Sequence, residues 1–379
     1  MTAADKSSAA APRAERRADP AHLGYLDALR GYAILGVIAI HVVQRSPSLP
    51  PALGRLLFSG QQGVQLFFMV SAVTLLHSWT ERNDGAGPFY LRRLFRIGPM
   101  WYLAILVWTI LRLVAPNASE FAHRILPLSH LLLTSTYLHI WLPETINDVV
   151  PGGWSIGNEA TFYLLFPLLA MLLINVWRAG VFVLLAIGVS YAFNSWMHPT
   201  LTGSPNEDAA FLYFWFPNQI PAFSFGILTF QLIRSWQPPR WLAEFSVFAS
   251  LAAIVLVPTL TRWDGPIAYG LIFMPLIFGL AHGGGSYLVS GTVRWIGQRS
   301  YSAYFWHLGL LGLVFLVPAP DPYLGFALRY GVVFVATFAL SHLSYRLVEQ
   351  PGIRLGKRVL ARLRQLTSRG SVPKAVPGF

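Results

Sequence analysis

Apolar segments of bilayer length follow one another along almost the whole chain, and no other feature restricts its fold as strongly. The first runs from Tyr25 to about Gln44, and others are read at 57–79, 97–115, 154–176, 179–197, 211–233, 241–260, 266–281, 301–319 and 325–347. A hydrocarbon core about 30 Å thick needs roughly 20 apolar residues of helix to cross it, and inside it the backbone must satisfy its own hydrogen bonds. These runs predict an all-α polytopic membrane protein with about ten transmembrane helices. Charge agrees, because 12% of the residues are charged where soluble chains carry about a quarter. A hydrophobic content of 54% with no cysteine excludes intrinsic disorder and a disulfide scaffold.

Residues 1–22 are polar and carry Arg13, Arg16 and Arg17. They form no signal peptide of their own, and the first apolar run has the length of a span, so an uncleaved signal anchor is expected. With the N-terminus inside and ten spans, the loops on the cytoplasmic side hold 22 of the 28 Lys and Arg residues, as the positive-inside rule requires. An eleventh crossing at 125–142 would move the basic C-terminal stretch outside. That segment is interrupted by Pro127, Ser129, His130 and His139, and a re-entrant or interfacial segment on the outer side is expected instead. The net charge of +12 then reads as an orientation signal, and nucleic acid is not an expected partner. The expected organisation is a disordered basic cytoplasmic tail at 1–22, one membrane domain at 23–350 and a basic cytoplasmic tail at 351–379. Both termini would face the cytoplasm, with the chain integral to the cytoplasmic (inner) membrane.

Ionisable groups inside spans are expensive and mark functional candidates. Of the 16 acids, Glu159 alone lies well inside an apolar run, and His41 is the matching base in the outer half of the first. Arg30 and His41 are 11 residues apart, about 20° from three full helical turns, so they share a face some 16 Å apart along the axis. Asp27 can pair with Arg30 at i, i+3. Ser155, Glu159 and Tyr163 fall on one face at i, i+4 spacing. Glu159 and His41 reach similar depths from opposite directions, which permits a His–carboxylate pair, although either residue could instead be a polar packing contact. Arg93 and Arg96 share a face and could grip phosphates, or serve only as a topogenic cluster at the headgroups. Ser71 in the second span and His307, read in the inner third of the ninth, are weaker signals. The sequence has no P-loop, no metal-ligand spacing and no Gly-x-Ser-x-Gly elbow, and the sequon at Asn117 is discounted.

In order along the chain, these pieces resemble the acyltransferase-3 family of integral membrane O-acyltransferases. The resemblance runs from Tyr25 to Pro351. It includes Leu26-Asp27-Ala28-Leu29-Arg30-Gly31 followed by His41, Gly63-Val64-Gln65-Leu66-Phe67-Phe68-Met69-Val70-Ser71, and Arg93-x-x-Arg96 with Pro99. It continues with Trp154-Ser155, Glu159, Phe162 and Tyr163, then Ile296-Gly297-Gln298-Arg299-Ser300-Tyr301 with His307, and Glu349-Gln350-Pro351. The resemblance implies transfer of an acyl group, usually acetyl, from cytoplasmic acyl-CoA to a hydroxyl of an extracytoplasmic or lipid-linked glycan or a secondary metabolite. It makes His41 the catalytic histidine and Arg30, Arg93 and Arg96 functional arginines, with no permanently bound cofactor. Two positions depart from the family pattern: Gln65 replaces a common acid, and Ser71-Ala72-Val73 replaces Ser-Gly-Phe. No fused C-terminal hydrolase-like domain is expected after Pro351.

The expected mechanism holds the CoA phosphates at Arg93 and Arg96, with Arg30 nearby, and threads the pantetheine arm along the first helix to His41. His41, oriented by Glu159, deprotonates the acceptor hydroxyl, and Ser71, Trp154 or Tyr163 stabilises the oxyanion. Ser155, Asp27, Tyr301 and His307 are expected to support the pocket. An acyl-His41 intermediate is a variant. A proton-coupled transporter using Glu159 and His41 as a relay is the competing class, and a non-enzymatic scaffold would leave charges inside spans unexplained.

Overall fold

The computed structural model describes residues 23–45, 49–114, 126–197, 205–261, 265–317 and 321–370. The tail expected at 1–22, the sequon at Asn117, residues 198–204 of the expected outer loop and residues 371–379 lie outside that set. Among the described residues every regular element is helical. Helix α1 (Gly24–Val43) leads through the short α2 (Pro51–Phe58) into α3 (Gly63–Arg82). The chain then reverses within Asn83–Gly85, where Asn83 and Gly85 take positive φ of 42° and 81°. That turn starts α4 (Ala86–Val114), and α5 (Leu128–Ser135) follows. The bundle continues with α6 (Trp154–Leu172), α7 (Val176–Met197), α8 (Pro205–Phe214) and α9 (Phe216–Ser235). It is completed by α10 (Arg240–Leu260), α11 (Pro266–Ala281), α12 (Gly291–Gln298), α13 (Ser300–Gly309), α14 (Pro322–Ser344) and α15 (Gln350–Gly370).

Among the described residues, seven helical stretches are long and apolar enough to cross a membrane: α1, residues 51–82, α4, α6, α7, α10 and residues 322–366. The other three runs read as spans fall short for distinct reasons. At 211–233 lies α9, which has the length but carries Asn218, Gln219, Ser224 and Gln231. At 266–281 lies α11, with 16 residues. At 301–319 the helix ends at Gly309 and continues as a 3-10 turn over Leu311–Leu316. The polar α9 survives because it is enclosed by protein, packed against α3, α7 and α11, with Gln219 and Ser224 fully buried. By contrast α7 and α10 lie at the rim, where Leu184 and Phe248 expose 70% and 68% of their surface. An apolar face so exposed suits lipid, not water.

Helix α1 is the hub, touching α3, α11, α12, α13 and α14. Its crossing with α12 is close enough that a Cβ on Gly297 would sit 1.7 Å from the Asp27 carbonyl oxygen, so only glycine fits. That contact fixes the start of α13 beside the Arg30 end of α1.

Within the expected segment 125–142, the described residues 126–142 form no span-length helix. The eight residues of α5 cover about 12 Å, Tyr137 then takes φ 63°, and Leu138–Trp141 is a 3-10 turn. The segment packs on α4, where the Trp101 indole N–H donates to the Thr134 carbonyl at 3.1 Å and stacks on the His139 ring. Residues 351–370 of the expected C-terminal tail belong to the helix α15, joined to α14 through a π turn at Tyr345–Glu349. Gly352 and Gly356 bring α15 against Pro99 and Phe95 of α4, and Leu360 continues that buried face at i, i+4, i+8.

Candidate active site

The polar residues singled out in the sequence gather in two adjoining cavities along α1. The first, with about 760 Å³ of empty space, is lined by Arg30, Arg93, Arg96, Ser71, Glu159 and Tyr163, together with Ser155, Tyr301 and Tyr304. Arg30 donates to the Asp27 carboxylate at 2.9 Å and to the Thr74 hydroxyl at 2.6 Å, so the predicted i, i+3 pair forms. Gln298 donates to the other Asp27 oxygen at 3.2 Å. Arg93 lies over the rings of Phe89 and Tyr163, at 6.0 and 5.9 Å, and its Nε is buried without a hydrogen-bond partner. Arg96 is ion-paired with Glu349, whose second oxygen accepts from Ser302 at 2.8 Å. Tyr301, beneath the Arg96 guanidinium, donates to the Ile97 carbonyl at 2.7 Å. Three guanidinium groups thus border one chamber held by a dense set of hydroxyls and carboxylates, an arrangement suited to an anionic ligand.

The second cavity, with about 970 Å³ of empty space, contains His41, with Gln44, Gln61, Asn147, Trp154, Tyr213 and Phe214 among its lining residues. His41 Nδ1 lies 3.1 Å from Gln44 Oε1. An amide oxygen only accepts, so in this contact Nδ1 carries the proton and Nε2 is left with its lone pair. His307 is fully buried and stands beside it, ring centroids 5.3 Å apart. The two cavities share Val64 and Tyr304 as lining residues. Tyr304 is anchored there by donation to the Gly152 carbonyl at 3.0 Å, and Ser155 donates to the same oxygen at 3.1 Å. Gly152 holds φ of 75°, and a Cβ there would press on Tyr304 Oη at 3.2 Å, so glycine serves both conformation and space.

Three expectations need revision. The Glu159–His41 pair does not form. Ser71 donates to the Glu159 carboxylate at 2.7 Å, and Tyr163 donates to the same oxygen. The Ser155–Glu159–Tyr163 face of α6 is turned toward the arginine chamber, whereas Trp154 lies about 100° around the helix and lines the histidine cavity. Ser71 and Tyr163, offered with Trp154 as oxyanion donors, accordingly lie in the other chamber. His307 is level with His41 and not in the inner third of a span, because α12 and the close α1 crossing start α13 next to Asp27. Its seven-residue rise from Ser300 then carries it about 10 Å toward His41.

Sequence reasoning overlooked Gln44 and placed Glu349 only in a motif. Gln44 sits three residues after His41, at the helix end, a spacing that signals contact. Glu349 follows an apolar run and looks like a loop acid until its partner on α4 is seen. The two departures also have structural counterparts. Gln65 donates to Gln219 at 2.8 Å, a neutral amide pair in the core. Opposite Ala72 on α9 stands Gly226, where an added Cβ would come within 2.9 Å of the Ala72 Cβ, so the extra methyl is accommodated by a missing one.

A family model described as an acyltransferase domain matches residues 23–346. Curated relatives include a protein of Staphylococcus aureus provisionally named an O-acetyltransferase, 24% identical over 88% of this chain and 58% of its own length. Another is the peptidoglycan O-acetyltransferase of Listeria monocytogenes, 24% identical over 86% of this chain and 55% of its own. The chain therefore spans a little over half the length of these relatives. No solved structure matches it significantly.

Proposed function

This chain belongs to the acyltransferase family so described, and from that premise we propose that it moves an acyl group, acetyl in the simplest case, from acyl-CoA to a hydroxyl of a glycan or secondary metabolite. The observation that carries this reading is the junction of an arginine-lined chamber with a histidine-bearing cavity at Val64 and Tyr304. The arginine chamber suits the anionic donor, and the histidine cavity, walled by aromatic and amide side chains, suits a polyhydroxylated acceptor. The names of the relatives support a cell-wall glycan such as peptidoglycan as acceptor. The helices of the chain make it a multi-pass membrane protein. The Arg82–Arg96 region, the start of α1 and the start of α15 lie at one end of the bundle, which supports a cytoplasmic, donor-side assignment for that end. His41 would then face the outer leaflet.

In the proposed reaction the thioester reaches His41 past the Val64–Tyr304 partition. His41 Nε2 takes the proton of the acceptor hydroxyl as its oxygen attacks the thioester carbonyl. The tetrahedral intermediate collapses by breaking the C–S bond, and the imidazolium returns the proton to the departing CoA thiolate. Gln44 orients the imidazole, the role first assigned to Glu159. Glu159 becomes a positioning residue that ties Ser71 to Tyr163 across the donor chamber. The relay reading needs a proton path between Glu159 and His41, and neither the carboxylate nor the imidazole bonds to the other. The test is acyl transfer from labelled acetyl-CoA to cell-wall glycan in membranes carrying the full chain. Transfer that needs His41 supports the reading, and undiminished transfer by His41→Ala overturns it.

A further inference from the structure

A third cavity lies outside the two chambers, between α4 and α15, with about 780 Å³ of empty space. Six cations border it: Arg82, Arg92, Arg93, Arg96, Lys357 and Arg364. Arg93 and Arg96 also border the donor chamber, so the groove and the chamber are contiguous through their guanidinium groups. Asp84, in the α3–α4 turn, engages two of the six, accepting from Arg92 at 2.7 and 2.8 Å and from Arg364 at 2.6 Å. Glu349 engages Arg96. Arg82, Arg93 and Lys357 have no carboxylate within ion-pair distance among the described residues. A groove that gathers six cations, sets only two carboxylates against them and leaves a buried guanidinium nitrogen unpartnered is electrostatically incomplete. The missing component is anionic.

Topology alone does not explain this concentration. A positive-inside signal needs cations near a membrane face, but it does not require α15 to fold back on α4 with Lys357 and Arg364 turned toward Arg82 and Arg92. The Gly352 and Gly356 contacts place them there.

We propose that the α4–α15 groove is a phosphate-binding vestibule, in which Lys357 and Arg82 complete the grip on a phosphorylated ligand whose remainder enters the arginine chamber. Resting on the function proposed above, the ligand is the nucleotide end of the acyl-CoA donor, and the C-terminal helix becomes part of the donor site. An anionic phospholipid headgroup is the other source of the same chemical group.

The test uses the full chain in nanodiscs and equilibrium binding, which needs no turnover. Coenzyme A and pantetheine, which lacks the nucleotide, are titrated against wild type, Lys357→Gln, Lys357→Arg and Arg82→Gln. Lys357 is exposed, so its substitution should leave folding intact. Coenzyme A affinity is expected to fall roughly five- to tenfold in each Gln variant, the scale of one charge-assisted contact. Pantetheine affinity should not change, and Lys357→Arg should retain near-native affinity. In parallel, native mass spectrometry compares retention of phosphatidylglycerol. Loss of lipid retention in the Gln variants with unchanged coenzyme A affinity keeps the phosphate site and assigns it to lipid. No change in either ligand overturns the vestibule while leaving acyl transfer standing. A wild-type chain that binds no coenzyme A overturns the donor assignment itself, together with the nucleotide arm of this proposal.

Discussion

The two chambers along α1 are built on opposite principles. The arginine chamber is densely bonded: Arg30 to Asp27 and Thr74, Glu159 to Ser71 and Tyr163, Arg96 to Glu349, and Glu349 to Ser302. The histidine cavity is sparse. His41 has one hydrogen bond, to Gln44, and neither ring nitrogen of His307 has a partner of normal geometry. A fixed anionic ligand is best held by groups that do not move, since each pre-ordered cation saves the entropy of ordering it on binding. A proton acceptor must keep a lone pair available and therefore cannot be saturated with donors. Under the proposed reaction, the contrast suits one chamber to binding and the other to proton transfer.

The sharpest way to break that division is His41→Ala. Acyl transfer should fall about a thousandfold, within the usual range for loss of a general base, while equilibrium binding of coenzyme A stays within twofold of wild type. A matched loss of both would show that the chambers are not separable. Next in size is Arg96→Ala, which leaves the fully buried Glu349 without its ion partner. We expect destabilisation of about 3 kcal/mol, as for a broken buried pair, read as early loss of the monodisperse peak on heating in detergent. Arg96→Ala with Glu349→Ala should recover much of that stability and none of the coenzyme A affinity, separating the structural role of Arg96 from its binding role.

Gln44→Leu tests the sparse side. Removing the acceptor of the Nδ1 proton frees the imidazole to rotate or change tautomer, and kcat should fall roughly tenfold, the value of one net hydrogen bond, at unchanged donor affinity. A fall in affinity equal to that in kcat would refute a positioning role. The smallest effect concerns Asp84, whose carboxyl the Arg92 hydrogen bond holds below the usual range, against the opposing effect of burial. A depressed folded-state pKa contributes stability that is present above the ordinary carboxylate value and is lost as pH falls through the folded value. The wild-type stability advantage over Asp84→Asn should therefore be present near neutrality, shrink below about pH 4, and stay within about 1 kcal/mol because water screens the pair.

Much of this architecture was legible in the chain because the bilayer imposes one-dimensional rules. The helical class follows from apolar runs. The absence of a span-length helix among the described residues 126–142 agrees with the breaks at Pro127, Ser129 and the two histidines. Periodicity placed Ser155, Glu159 and Tyr163 on one face, and they do share a chamber. Periodicity also puts Arg30 and His41 on one face of α1, and they line the two adjoining cavities. The structure departs from the sequence reading at Glu159 and His307, where the expectation depends on the rotation or depth of one helix against another. Depth alone pairs Glu159 with His41, but a helix face that points toward Ser71 and the arginines cannot also point toward His41. His307 departs from the depth a regular span predicts because α12, a close glycine crossing and a short α13 stand there. The C-terminal residues read as a tail because their charge masks the Gly352–Gly356–Leu360 stripe that docks them on α4.

Sequence alone therefore determined the class of protein, the family and the inventory of ionisable groups, because hydropathy and helical periodicity act along a single chain. Only the tertiary structure decided which of those groups meet. Contacts between α1, α4, α6, α13 and α15 depend on crossing distances set by glycines and prolines and on the rotation of each helix about its axis, and neither quantity is written in a local stretch of residues. That is why the arginines, expected together, stand together, while the carboxylate expected beside His41 gives way to Gln44.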